Sequence, residues 1–109
     1  MKKQISSLKY RPQVFVCAND SIALSVVNSL NALGYQIPDE VQVIGFDNTI
    51  ESTISKPKIT TIDVNKELLG QEALYLLVDR INRPNSVNMT IYILTLKSYL
   101  DKQLKNNYY

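Results

Sequence analysis

The run VFVCA, residues 14–18, passes without a glycine or proline into NDSIALSVVNSLNALG, and this junction restricts the fold more than any other segment. Five consecutive apolar residues rich in β-formers read as a strand buried on both faces, the pattern of a parallel sheet covered by helices. Behind it, Ile22, Ala23, Val26, Val27, Leu30 and Leu33 recur at three- and four-residue spacing, the period of a helix with one apolar face. Gly34 follows as a C-cap glycine. Asp20 fits the N-cap, because its carboxylate can accept from the free amides of the first turn. Asn19 is then a second polar side chain that capping does not require.

The same unit recurs downstream. Pro38 in YQIPDE blocks further helix, and VQVIGF, residues 41–46, is the next strand. It too delivers polar residues at its end, Asp47 and Asn48. TIESTISKPK is a polar loop with room for one helical turn, and ITTI, residues 59–62, is β-branched and extended. Asn65 can cap a helix over residues 66–82, with Leu69, Ala73, Leu76 and Leu77 in its apolar stripe. NRPNS is a turn, and MTIYILT, residues 89–95, is a further strand. The tail LKSYLDKQLKNNYY fits helix spacing through Leu96, Leu100 and Leu104, and strand alternation through Leu96, Ser98 and Leu100. At the other end, residues 2–9 can form a short helix before Arg11-Pro12. Strand, helix, strand, crossing, helix, strand is the order of an α/β layer with parallel strands and right-handed crossovers. No repeat and no long linker divides residues 1–109, which read as a single domain.

Composition removes several classes of function. The net charge is +2 with lysines spread along the chain, so no basic stripe offers itself to nucleic acid. There is no histidine, which excludes Ser-His and Cys-His catalysis and His-based zinc sites. The 3 glycines are too scattered for a phosphate-cradling loop or a dinucleotide fingerprint. Cys17, the one cysteine, lies in the apolar run, where a thiol is inert packing. No segment approaches the roughly 18 continuous apolar residues of a membrane span, and no apolar signal core follows the basic start. A cytoplasmic protein without a cofactor is the expectation.

In open parallel sheets, ligands bind beyond the carboxyl ends of the strands. Asn19-Asp20 and Asp47-Asn48 sit at two such ends. Together they offer carboxylate acceptors and amide donor-acceptors, the mixture that sugar hydroxyls require because each both gives and takes a hydrogen bond. Two other readings stay open: Asp20 as a cap with Asp47-Asn48 as a turn, and Asp20 with Asp47 around Mg²⁺ in an enzyme or phosphoacceptor.

At these residues the sequence CANDSIALSVVNSLNALGYQIPDEVQVIGFDN resembles the effector-binding domain of LacI/GalR-family transcription regulators, and KPKITTIDVNKELLGQEALYLLVDRI continues the resemblance in register. It covers roughly residues 10–95. It implies an α/β parallel-sheet sandwich, here the partial C-terminal lobe of a type I periplasmic-binding-protein-like fold. It also implies a small effector, commonly a sugar or purine, bound between two lobes, and a separate helix-turn-helix for operator DNA. By this resemblance Asn19 and Asp47 match effector-contacting positions, with Asp20, Asn48 and Asp63 as further candidates. Val64 stands where such regulators often carry a glutamine, and YILTLKSYL lacks their usual proline.

The resemblance spans only the last part of a regulator. The chain is therefore expected to be an excised domain fragment, or else a truncated reading frame, with the DNA-binding domain absent and operator DNA reached only through it. One wall of the effector pocket implies weak or no binding by this piece alone. Losing partners for residues 14–18 and for helix 66–82 leaves apolar surface that a homodimer or larger assembly would cover. The resemblance places Leu24, Val27, Asn28, Ile50 and Ile54 at the subunit contact, with the alternative that Ile50 or Ile54 packs beneath its loop. The competing class is a sugar-binding protein of a transport system, which shares the fold.

Overall fold

The structure, a computed structural model, describes residues 1–85 and 97–99. In chain order the elements are α1 (Lys2–Ser6), β1 (Val14–Val16), α2 (Asp20–Ala32), β2 (Gln42–Ile44), α3 (Ile50–Ile54), β3 (Thr61–Asp63), α4 (Lys66–Asn82) and β4 (Lys97–Tyr99). They fall into two compact units, one of Met1–Asp63 with β4, the other beginning at Val64 and carrying α4.

β1 and β2 pair in parallel, Val14 opposite Gln42 and Val16 opposite Ile44. The ladder runs past both strand ends: the Cys17 amide donates to the Ile44 carbonyl at 2.8 Å and the Asp20 amide to the Phe46 carbonyl at 3.0 Å. On the other side of β2, Ile44 bridges Thr60, also in parallel. The Gly45 amide donates to the Thr60 carbonyl at 2.8 Å and the Asp47 amide to the Ile62 carbonyl at 2.9 Å. Three segments thus run side by side in one direction, and their carboxyl ends share a rim. β4 departs from the all-parallel reading and lies antiparallel to β3, Thr61 opposite Tyr99. An edge position accepts either direction, since both ladders satisfy the same backbone groups. Of the two readings of the tail, strand holds over 97–99; the strand read at 89–95 lies outside the described residues.

α2 covers one face of this sheet. Ala23, Val26, Val27 and Leu30 are buried against Cys17, Val41, Val43 and Ile59, with Phe15 packed at the edge of the cluster. The reading of residues 14–18 as buried on both faces is corrected here. Side chains alternate along a strand, so Val14 and Val16 share the face opposite Phe15. There they are 39% and 78% exposed, because the helical layer of this unit lies on the other face. Val27 is a second correction. It was expected at a subunit contact, yet it is fully buried in the core. It lies four residues after Ala23 and three before Leu30, so helical geometry turns it inward with them.

The helix ends follow local chemistry. At the end of α2, Gly34 adopts φ +83°, the left-handed conformation glycine takes without a Cβ penalty. The Gly34 amide donates to the Asn31 carbonyl at 3.0 Å and the Tyr35 amide to the Leu30 carbonyl at 3.1 Å, the paired bonds of a Schellman motif. The helix read over 66–82 is observed with those bounds, and its Asn65 side chain accepts from the Leu68 amide at 3.0 Å. α4 carries no buried residue, and Leu69, Leu77 and Ile81 are exposed along it. α3 is the single helical turn for which the 49–58 loop has room, and Ile50 and Ile54 on it are 68% and 59% exposed. Neither packs beneath the loop.

Candidate functional site

The rim where β1, β2 and β3 end brings Asn19, Asp47, Asn48 and Asp63 into one neighbourhood. Backbone bonds fix this: Asp20 is tied to Phe46, and Asp47 to Ile62. Asn19, Asp47, Asn48 and Asp63 are all half-buried, so each keeps some surface at the rim.

The roles of the first pair are exchanged relative to the sequence reading. Asn19, not Asp20, is the N-cap: its Oδ1 accepts from the Ile22 amide at 2.9 Å, and its backbone is extended at φ −156°. The cap leaves the Nδ2 amide of Asn19 as a donor. Asp20 is the first helical residue and is completely buried. Its carboxylate reaches two distant segments. Oδ1 accepts from the Thr61 hydroxyl at 2.6 Å, and Oδ2 accepts from the Thr49 amide at 2.7 Å with the Thr49 hydroxyl at 3.2 Å. A buried carboxylate is tolerated only when hydrogen-bonded this fully. Gly45 makes the room, since a Cβ built there would stand 2.1 Å from Asp20 Oδ1.

Asp47 and Asn48 both have positive φ, 91° and 49°. Asn and Asp enter this region more readily than other residues with side chains, yet two in succession need support. The Asn48 amide donates to the Thr61 hydroxyl oxygen at 3.2 Å, and the Thr49 amide is held by Asp20. The Asn48 side chain donates through Nδ2 to Asp63 Oδ1 at 3.0 Å. Thr61 and Asp63 are two apart on β3 and so share a face, and both reach the loop after β2. Farther along, Ser21 donates to Glu51 at 3.2 Å, joining α2 to α3. The neighbouring Thr49 hydroxyl first, whose one proton is shared with Asp20, and then the Glu51 backbone amide and Ser21, hold the Glu51 carboxyl below its ordinary value.

Thr49 and Thr61 carry much of this geometry and were not singled out from the sequence. Their partner is 29 and 41 residues away, beyond any local pattern. The signal that could have exposed them was Gly45, set between Ile44 and Phe46 in a strand segment without a turn to justify it. Among the described residues no cluster of three or more acidic or thiol groups could hold a metal ion. None of their helices is long and apolar enough to cross a membrane. Of the residues expected at a subunit contact, Leu24 is half-buried and Asn28 exposed on α2, with Ile50 and Ile54 exposed on α3.

Residues 1–98 match the family described as periplasmic binding protein-like domain. The chain is 38% identical over 90 residues to the HTH-type transcriptional repressor PurR of Mannheimia succiniciproducens, covering 83% of this chain and 27% of that protein. It is 34% identical over 94 residues to the NTD biosynthesis operon regulator NtdR of Bacillus subtilis, covering 86% and 29%. It therefore spans under a third of the length of these curated relatives. In structure it is similar to a LacI-type transcriptional regulator from Bacillus cereus, with a TM-score of 0.85 at 29% identity over 94% of this chain and 36% of that one. It is also similar to the regulator CelR in complex with cellobiose, with a TM-score of 0.77 at 26% identity over 84% and 28%.

Proposed function

The chain belongs to the periplasmic binding protein-like family to which LacI-type effector-binding domains also belong, and from that premise we propose that it is the sensing and self-associating portion of a transcription regulator. In this reading it is a cytoplasmic, non-enzymatic piece of a longer protein that meets operator DNA only through a helix-turn-helix outside this chain. The rim carries the proposal. Asn19, Asp47, Asn48 and Asp63 gather amide donors and carboxylate acceptors at the carboxyl ends of three adjacent strands, where open α/β sheets take their ligands. That mixture suits a neutral, hydroxyl-rich molecule, and a sugar is the effector we propose. CelR with cellobiose, similar in fold, supports this choice. Asp20 has no part in direct contact, because it is buried beneath the rim.

The named relatives are repressors and operon regulators, which favours regulation over transport. In the intact protein the effector would bias two states of differing operator affinity by binding them unequally. In this reading the chain supplies one wall of the pocket, so the weak binding expected of it is on the order of millimolar. Self-association would use Leu24, Asn28, Ile50 and Ile54, which lie on the packed pair α2 and α3.

An amide-resolved NMR titration with cellobiose, sucrose and ribose tests the sensing role. The expected result is millimolar saturable shifts confined to Asn19, Asp47, Asn48 and their neighbours, abolished by Asp47→Ala. Shifts that Asp47→Ala leaves unchanged, or none with any of the three sugars, would overturn it.

A further inference from the structure

We propose that Asp20 is a positioning residue for the rim: from beneath, it holds Asp47 and Asn48 in the left-handed backbone that presents their side chains. The inference rests on the sensing role proposed for Asp47 and Asn48, and it adds a residue that touches no ligand. Three observations carry it. First, Asp47 and Asn48 stand in succession at positive φ, a conformation disfavoured for residues with a Cβ. Second, the Asp47 amide is held by the Ile62 carbonyl, and the next two amides, inside the bend and just after it, are held from beneath. Asn48 donates to Thr61 Oγ1 at 3.2 Å and Thr49 to Asp20 Oδ2 at 2.7 Å. Third, the Thr61 hydroxyl has one proton, and it goes to Asp20 Oδ1 at 2.6 Å. That leaves the Thr61 oxygen as an acceptor for Asn48. Asp20 therefore fixes both amides, one directly and one by orienting a hydroxyl. A carboxylate acceptor strengthens the Thr49 and Thr61 bonds that end on it.

The arrangement is built for this carboxylate. Its Oδ1 occupies the space a side chain at position 45 would need. Asp20 also anchors the first turn of α2, immediately after the Asn19 cap. The bend and the cap therefore share one support, and the two halves of the rim cannot drift independently. Asn48 in turn reaches Asp63 through its side chain, so the backbone set by Asp20 also fixes where that amide lies.

The test uses the whole chain and native-state amide exchange. Asp20→Ala risks unfolding, so two shape-keeping variants are used: Asp20→Asn, which replaces one acceptor oxygen by a donor, and Thr61→Val, which removes the hydroxyl. The expected result is exchange at Asn48 in Thr61→Val, and at both Asn48 and Thr49 in Asp20→Asn, accelerated about tenfold beyond the change at Val26, Val27 and Leu30, the size one hydrogen bond gives. Thr61→Ser should restore it. A merely structural role would lower protection evenly across α2 and the bend, and that outcome would overturn the proposal. So would failure of the serine variant to restore protection when its unfolding midpoint is normal. The sugar titration separates the two readings. If the bend loosens in Thr61→Val but the unsubstituted chain binds none of cellobiose, sucrose and ribose, positioning stands and the sensing role falls.

Discussion

The Thr61 hydroxyl lies 2.6 Å from Asp20 Oδ1, joining β3 to the first residue of α2 across 41 positions of sequence. Its neighbour Thr60 is about as buried, but among the described residues its hydroxyl has no hydrogen-bond partner. The two threonines should therefore respond oppositely to the same change. Thr61→Val deprives a buried carboxylate of a donor and is expected to cost about 2 kcal/mol. Thr60→Val removes an unsatisfied hydroxyl and should be neutral or slightly stabilising. Urea unfolding of the two variants beside the parent chain checks the contrast.

Gly45→Ala should be among the most damaging single-methyl additions in the chain. Its Cβ would stand 2.1 Å from Asp20 Oδ1 and 3.3 Å from the Asp20 Cα, so a helix and a strand would have to separate. A loss of about 3 kcal/mol or more is expected, at or beyond the usual cost of overpacking. Gly70 in α4 is the control, because a Cβ there meets nothing within 4 Å. Gly70→Ala should raise helicity, with a gain of up to about 1 kcal/mol. Circular dichroism with denaturation reads both.

The exchanged roles at the head of α2 give a direct comparison. Asn19→Ala removes a cap and is expected to cost about 1 kcal/mol, with Asn19→Ser close to neutral. Asp20→Ser should not be neutral, since a serine hydroxyl is too short to hold both Thr49 and Thr61. Equal effects of Asn19→Ser and Asp20→Ser on the unfolding midpoint would contradict the assignment.

Cys17 is buried, and burial pushes its thiol above the ordinary value. Native chain should label slowly with a thiol reagent near neutral pH, and rapidly in denaturant. The same shift has a consequence for pH. The folded state keeps the thiol proton longer than the unfolded chain does. The associated stability is fully present below the unfolded thiol pKa of about 8.5 and is lost as pH rises through the folded value. Cys17→Ala should flatten that alkaline slope in unfolding measurements.

Ile54 is 59% exposed on α3, so a charge there need not disturb the core. Ile54→Asp is expected to shift sedimentation toward monomer while leaving the circular dichroism spectrum intact. A clean monomer for the parent chain at micromolar concentration would remove the proposed self-association, and loss of helicity in the variant would show Ile54 to be structural.

Local chemistry made much of the fold legible. The three-and-four spacing set the bounds of α4, Asn65 announced its cap, and Gly34 marked the end of α2. The strand ends with their polar residues pointed to the shared rim. What failed was long-range. Asp20 is a better-charged acceptor than Asn19, so local propensity favoured it as the cap, but Thr49 and Thr61 claim that carboxylate from 29 and 41 residues away. Val27 was legible as part of the helical stripe but not as wholly inward, because an apolar stripe gives a face and not the depth of each residue on it. The two-sided burial read for residues 14–18 followed from an apolar run, which shows what a strand could bury and not what covers it. The direction of β4 depends on a pairing no local pattern encodes.

The carboxylate of Asp20 is expected to impose an order on how the chain is completed during synthesis, because a buried acid is costly without its donors. Helix α2 and the first two strands are made before residue 61 leaves the ribosome, and at that stage the acid would have Thr49 beside Oδ2 but no donor for Oδ1. Water is the cheaper host until then, so the growing chain should hold its first layer loosely and tighten it only when Thr61 emerges. A nascent chain halted before that point is the form that chaperones and proteases would find most open.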